Sequence, residues 1–233
     1  MSAPDSIWLS EIFSSIQGEG ILTGTPSTFV RTSGCNLRCK WCDTRETSWE
    51  PKGKRVSVAE VARRVAGNAL KHVVLTGGEP LLSEGAMRLG DLLRESGHHL
   101  TIETAASFHP DTFNPSADLF SISPKLRSST PTDPRFALLH EERRWRPRWI
   151  RNLMGRGEYQ LKFVVGEASD LDEIAIAVDT LGADPARVLV MPEGTTVERI
   201  DEVSRWLVPE AVGRGWRFAD RLHIRLFGHT RGT

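Results

Sequence analysis

TSGCNLRCKWCDT, residues 32–44, holds every cysteine of the 233-residue chain: Cys35, Cys39 and Cys42, spaced C-x3-C-x2-C. Three thiolates within so few positions can converge on one metal centre, and Gly34 and Asn36 suit the tight, irregular loop that convergence needs. The number of thiols sorts the candidates. A structural zinc site closes with four protein ligands, so zinc would need one of the seven histidines as the fourth. A [4Fe-4S] cluster prefers four cysteines; held by three, it keeps one iron open for a small molecule. The offsets of four and three would also fit buried cysteines on one helix face, but Gly34 and the charged Arg38 and Lys40 argue against a helix.

On either side of this loop the pattern is that of a β/α protein. Upstream, residues 10–20 read as a short strand or turn entering a glycine-rich loop, and Ser27 to Thr32 is a β-prone run that delivers Arg31 to the cysteines. Downstream, Ser57-Val58-Ala59-Glu60 is a capping box before a helix with Val61, Ala62 and Val65 on one face. His72 to Leu75 is a short buried strand ending in Thr76-Gly77-Gly78-Glu79-Pro80. That glycine-rich turn has neither the lysine of a P-loop nor the spacing of a dinucleotide fingerprint. A helix over 83–96, carrying Ala86, Leu89 and Leu93, and strands at His99–Glu103, Ala117–Ser123 and Glu158–Val165 continue the rhythm. A helix from Ser169, a strand at Arg187–Met191 and a capping box from Thr195 to Glu198 before a further helix complete it. The last segment, RLHIRLFGHTRGT from Arg221, alternates Leu222, Ile224 and Leu226 with His223 and Arg225, as a strand would. The expected fold is a single α/β domain over 1–233, its parallel strands curled into an incomplete β/α barrel.

Thirty basic and thirty acidic residues cancel, which gives no global attraction to nucleic acid or membrane. There is no apolar run of membrane-spanning length and no signal-peptide pattern, and the clustered thiols leave no disulfide framework. A cytoplasmic protein is expected. Residues 127–157 break the pattern and read as a basic insertion: polar, proline-marked, and basic at RRWRPRWIR (143–151), with Trp145 and Trp149 among the arginines. Such a string can stack bases or form a docking surface; zero net charge favours a packed lid or interface over nucleic acid.

C-x3-C-x-aromatic-C, with Trp41 as the aromatic, resembles the cluster loop of the radical S-adenosylmethionine (SAM) superfamily, and Gly77-Gly78-Glu79-Pro80 resembles its GGEP motif. EIFSSIQGEG (11–20), Ser123-Pro124-Lys125, Pro192-Glu193-Gly194 and the closing His223 to Thr233 resemble the 7-carboxy-7-deazaguanine synthase family within it. The resemblance implies a [4Fe-4S] cluster on Cys35, Cys39 and Cys42 whose open iron chelates SAM, with one electron cleaving SAM to a 5'-deoxyadenosyl radical. It further implies SAM contacts from Trp41, Asp43, Gly77, Gly78, Glu79, Glu103, Ser123, Pro124 and Lys125, and Mg²⁺ at Thr44. The pterin substrate, 6-carboxy-5,6,7,8-tetrahydropterin, would be met by Ile16, Gln17, Gly18, Glu19, Arg31, Thr76, Lys162, His223 and Thr233. Ring contraction with loss of ammonia, a one-electron donor such as flavodoxin, and a homodimer complete the expectation. On residue chemistry alone, Arg31 is either a carboxylate clamp or a surface ion pair, Lys162 points inward or to water, and a lone His223 is commonly structural. The chain departs from the family at Ala105-Ala106, where asparagine-glycine is usual. Two other readings are a glycyl-radical-enzyme activating protein, which the SIQGEG string speaks against, and a Cys3His zinc module binding RNA through 143–151.

Overall fold

The computed structural model describes residues 5–108 and 114–233. The chain opens with β1 (Ser6–Ile16) and β2 (Pro26–Thr32), then passes through the cysteine loop into a one-turn helix, α1 (Arg45–Ser48). A short strand, β3 (Lys54–Ser57), is followed by α2 (Val58–Ala66), β4 (His72–Gly77), α3 (Glu84–Glu95), β5 (His99–Thr104) and β6 (Leu119–Ile122). Two helices that each begin with proline, α4 (Pro134–Arg144) and α5 (Pro147–Met154), lead to β7 (Glu158–Val165). The chain ends with α6 (Asp170–Leu181), β8 (Val188–Pro192), α7 (Val197–Gly213), β9 (Arg217–Phe218) and α8 (Leu222–Phe227).

Among the described residues the strands form one open sheet in the order β3-β1-β2-β4-β5-β6-β7-β8-β9. Every pairing from β2 to β9 is parallel, and this is the incomplete β/α barrel that the alternation predicts. The antiparallel pairs β1–β2 and β1–β3 were not foreseen. For β1–β2 the cause is chain length: the connection over 17–25 is shorter than the dozen residues a parallel crossover needs. Pairing on both sides also makes β1 a long strand rather than the short one or turn expected over 10–20.

Period-2 alternation divides each parallel strand between two environments. Leu161, Phe163 and Val165 of β7, Leu100 and Ile102 of β5, and Phe120 and Ile122 of β6 join the core beneath the helices. Their neighbours Lys162, Glu103 and Ser121 point the other way, into the barrel. On the outer layer, Val61 and Val65 of α2, Leu89 and Leu93 of α3, and Ile200, Val203 and Leu207 of α7 form the matching apolar stripes. Ser57 and Ser83 cap α2 and α3 by accepting from the backbone N–H of Glu60 and Ala86 (both 3.2 Å), each worth about 1 kcal/mol. The cap of α7 is Thr196, which accepts from Arg199 N, one residue later than the Thr195 box expected.

The basic segment folds as α4 and α5. Trp149, 3% exposed, packs into the core with Ile150 and Leu153, so it is no base-stacking platform. Arg144 is buried against Glu141 (2.8 Å) and Glu173 (2.6 Å) and donates to the Lys125 carbonyl. The strand expected at 222–226 is instead α8: Arg221 O accepts from Ile224 N and Arg225 N, Ile224 is buried, and Leu226 faces out. An alternating run this short cannot choose its own period, and anchoring of Leu222 N on Gly18 O (2.8 Å) starts a helix rather than extending the sheet.

Candidate active site

The inward-facing strand residues and the loops beyond their C-terminal ends enclose a cleft of about 600 Å³. Cys35, Cys39 and Cys42 form one wall of it with Leu37, Trp41 and Ala105. The opposite, backbone side of the cysteine loop is tied to the protein. Arg38 donates to the carbonyls of Cys35 (2.8 Å) and Leu37 (2.7 Å), the Trp49 indole donates to Cys39 O (2.9 Å), and Asn36 donates to Ser107 O (3.1 Å). Behind the loop, Glu79 N donates to Gly34 O (2.9 Å), and a Cβ on Gly78 would lie 2.2 Å from that same oxygen. Gly78 is therefore needed for close approach of two backbones. Burial pushes the Cys35 and Cys39 thiols up to about 12, so without a metal both stay protonated at neutral pH.

Among the described residues no three Cys, His, Asp or Glu side chains are grouped as a single-ion site. Two histidines bond to the loop backbone. His229 Nε2 lies 3.0 Å from Asp43 O, and His140 is used up: Nδ1 accepts from Arg38 N (3.2 Å) and Nε2 donates to Ser129 Oγ (2.9 Å), whose own proton goes to Leu126 O. Burial holds this ring neutral, at about 4. It is not placed to complete a zinc tetrahedron, whereas three cleft-facing thiols with no fourth protein ligand fit a cluster with one open iron.

The same cleft is lined by a chain of charges, largely buried at Glu19, Lys162 and Arg221 and more open at Asp43 and Glu103. Lys162 donates to Glu19 and lies 3.6 Å from Glu103, which accepts from Thr76 Oγ1 (3.0 Å). Arg221 bridges Glu19 (3.1 Å) and Asp43 (2.5 Å) and also donates to the Gly194 carbonyl. Burial alone would raise the Glu19 carboxyl, but Lys162, Arg221 and His223 together hold it far below the usual carboxylate range. Asp43 is lowered in the same way, burial being outweighed by Arg221. Lys162 and Arg221 are pushed up by these carboxylates against the effect of burial, so the four groups all stay charged. His223 stacks on Gly18, where a Cβ would meet its Nδ1 at 2.0 Å, and burial lowers its pKa despite Glu19. At the mouth, Glu11 accepts from both Arg31 (2.8 Å) and Arg231 (2.9 Å).

With this arrangement established, similarity to known proteins becomes informative. The Radical SAM superfamily profile matches residues 29–120. A 7-carboxy-7-deazaguanine synthase of Rhodopirellula baltica is 47% identical, over 100% of this chain and 91% of the relative. The chain belongs to the 7-carboxy-7-deazaguanine synthase family of the radical SAM superfamily. A Halobacterium salinarum synthase is 44% identical over 97% of this chain and 92% of its own. The crystal structure of QueE from Escherichia coli shares the fold with a TM-score of 0.70 at 24% identity, covering 94% and 95% of the two chains. Membership implies a [4Fe-4S] cluster, SAM, a small-molecule substrate and a reductant, and it displaces the glycyl-radical and zinc-module readings. No helix among the described residues is long and apolar enough to cross a membrane.

Nearly all the site residues expected for the family lie around this one cleft: Ile16, Gln17, Gly18, Glu19, Arg31, Trp41, Asp43, Thr44, Thr76, Gly77, Gly78, Glu103, Ser123, Lys125, Lys162, His223 and Thr233 join the three cysteines. Two do not. The Glu79 side chain is buried behind the cleft, accepting from Thr104 Oγ1 (2.6 Å), Ala105 N (2.9 Å) and Leu81 N (3.1 Å), and so fastens the loop after β5 rather than facing a ligand. Pro124 turns away toward the groove between α4 and α6. At the departure from the family, Ala106 keeps a left-handed backbone (φ 51°), the conformation that glycine would supply. Sequence reasoning missed Arg221 as a site residue, although it opens the C-terminal string. It also missed Gln160, whose Oε1 accepts from Ile21 N (2.8 Å) and whose amide donates to Ser121 (2.7 Å), pinning the SIQGEG loop to β7.

Proposed function

We propose that this chain is a 7-carboxy-7-deazaguanine synthase, converting 6-carboxy-5,6,7,8-tetrahydropterin to 7-carboxy-7-deazaguanine with loss of ammonia. The observation that carries the proposal is the convergence on one cleft of three thiols and, across from them, the SIQGEG loop, Lys162 and the C-terminal segment. Cys35, Cys39 and Cys42 hold the cluster, which when bound supplies the electron that releases the 5'-deoxyadenosyl radical from SAM. Trp41, Asp43, Gly77, Gly78, Glu103, Ser123 and Lys125 line the SAM side. Lys125, fixed by Ser123 (2.8 Å), lies 5.8 Å from the Trp41 ring and places a cation beside the cluster loop.

The pterin sits against Gln17, Glu19, Lys162 and His223. Glu19, kept ionised by its two cations, accepts from the aminopyrimidinone N–H groups; Gln17, held by Ser27 (3.0 Å), presents its amide to the same edge. Arg31 exchanges Glu11 for the substrate carboxylate, with Arg231 close by as a second donor. Thr44 offers a hydroxyl to Mg²⁺, with the rest of its octahedron from substrate oxygens and water. The protein contributes orientation of the substrate hydrogen and exclusion of water. Flavodoxin as donor, a homodimer and a cytoplasmic setting belong to the same proposal. The test is an anaerobic assay of the reconstituted protein with SAM, Mg²⁺, dithionite and carboxytetrahydropterin, with 5'-deoxyadenosine and deazapurine read by mass spectrometry. Substrate-dependent formation of both is expected; deoxyadenosine without deazapurine would reassign the substrate.

A further inference from the structure

Arg221 joins three separate segments of the cleft through one side chain. It lies between β9 and α8, 5% exposed, and each nitrogen of its guanidinium goes to a different loop. Nε donates to Glu19 of the SIQGEG loop (3.1 Å), Nη2 to Asp43 beside Cys42 (2.5 Å), and Nη1 to the Gly194 carbonyl beyond β8. The backbone that carries this fork is clamped on both sides. Ala219 N donates to Val190 O of β8 (3.0 Å), Arg221 N to the Asp220 carboxylate (2.7 Å) and Leu222 N to Gly18 O (2.8 Å). Asp220 also accepts from Arg225 (2.5 Å), which reaches Asp201 of α7 (2.9 Å).

Charge balance does not account for this arrangement. Glu19 already has Lys162 on its other oxygen, and the partly open Asp43 carboxylate has access to water. Stability alone is a weak reason, since apolar side chains of similar volume in place of a whole buried ion network are commonly as stable. What a guanidinium adds is geometry: its donors leave one rigid plane at fixed angles, so acceptors on three loops are held in fixed places relative to one another. Resting on the proposed function, the pterin is anchored at Glu19 and SAM at the cysteine loop, and hydrogen transfer depends on how those two loops are spaced. We propose that Arg221 is a positioning residue: its fork fixes the pterin edge held at Glu19 relative to the cysteine loop at Asp43, and so aims the substrate hydrogen at the radical carbon. A misplacement of about 1 Å is enough to cost on the order of 100-fold in rate. A lysine at this position would keep the positive charge beside Glu19 but, as a point charge on a flexible stem, could not hold all three acceptors in one geometry.

The test compares wild type with Arg221→Lys and Arg221→Met. The metal-free chains are titrated with 6-carboxypterin, an air-stable probe with the same aminopyrimidinone edge and carboxylate, and binding is read from quenching of its fluorescence. The reconstituted enzymes are then assayed with SAM, dithionite, Mg²⁺ and carboxytetrahydropterin for KM, kcat and the ratio of 5'-deoxyadenosine to deazapurine. Deoxyadenosine released without product counts the SAM cleavages that missed the substrate. For Arg221→Lys the expected result is probe affinity and KM within about threefold of wild type, kcat for deazapurine lower by about tenfold or more, and a ratio higher by about tenfold. Arg221→Met should in addition bind the probe about tenfold more weakly, because Glu19 loses one of the two cations that orient it. Arg221→Lys with wild-type kcat and ratio would overturn the proposal, leaving a role of charge only. So would a lower kcat at an unchanged ratio, which would make Arg221 a support of the fold or of the cluster loop. Unchanged probe affinity in Arg221→Met would detach Arg221 from Glu19 and overturn it as well. A wild type that cleaves SAM but neither binds the probe nor forms deazapurine would instead remove the substrate reading, and this assignment with it; the other outcomes all presuppose a wild type that does both.

Discussion

Arg221→Met removes the cation at the centre of the buried charge network while keeping most of the side-chain volume. Arg221 is 5% exposed and donates to Glu19, Asp43 and Gly194 O. Removing one partner of a buried pair costs about 3–5 kcal/mol because the other charge is left uncompensated. Two features discount that figure here: Glu19 keeps Lys162, and the Asp43 side chain is 38% exposed and can take up water. The Gly194 carbonyl adds the loss of one charge-assisted bond, about 1.5 kcal/mol. A net loss of about 3 kcal/mol follows, which for a chain of this length lowers Tm by about 6–12 °C. The effect should depend on pH. Glu19 and Asp43 have carboxyls lowered from ordinary values of 4.5 and 3.8, so their contribution is present above those values and is lost as pH falls through the depressed native ones. The gap between wild type and variant is therefore full at neutral pH and narrows below about pH 4. Thermal unfolding of the metal-free chain, followed by circular dichroism at pH 7 and in steps toward pH 3, measures both. A Tm drop under about 2 °C at pH 7, or a gap that does not change with pH, would refute the network as a stabilising element.

Three further substitutions probe other parts of the site. Gly78→Ala places a methyl 2.2 Å from Gly34 O and 2.6 Å from Thr47 O, backbone atoms that cannot yield. It should cost about 3 kcal/mol or more, and iron content after reconstitution should fall with it; an unchanged Tm with full iron loading would disprove the close approach. Glu79→Gln turns one acceptor toward Ala105 N into a donor and should cost about 2 kcal/mol at pH 7. It also removes a carboxyl that burial holds above its usual value, whose stabilising effect is present at low pH and lost as pH rises through the raised pKa, so chemical denaturation across pH 4–8 should lose that falling component. Arg31→Ala should raise KM for the pterin about tenfold or more with a smaller change in kcat; an unchanged KM would return Arg31 to a pairing role with Glu11.

Much of the fold was legible because it is written in local periods. The stripes of α2 and α3, the caps at Ser57 and Ser83, and the all-apolar run Val73–Val74–Leu75 each depend on residues within a turn or two of one another. The cluster loop was legible for the same reason, its three cysteines being close in sequence. Glu79 was misplaced because a motif names a residue without saying which way it points; its bonds to Thr104 and Ala105 reach 25 and 26 residues along the chain. The short alternating run at 222–226 was misread because either period fits so few residues, and the anchor that decides, Gly18 O, lies far upstream.

By itself, then, the sequence determined the alternation of strands and helices, the cysteine spacing and the family that spacing resembles, all carried by neighbours in the chain. Tertiary structure alone decided that Lys162 points inward, that β1 runs antiparallel, and that Arg221 holds the site together. Its partners Glu19 and Asp43 lie 202 and 178 residues away. No local pattern encodes such pairings, because they exist only once the closing of the barrel has brought both ends of the chain to one cleft and burial has made an unpaired charge there too costly.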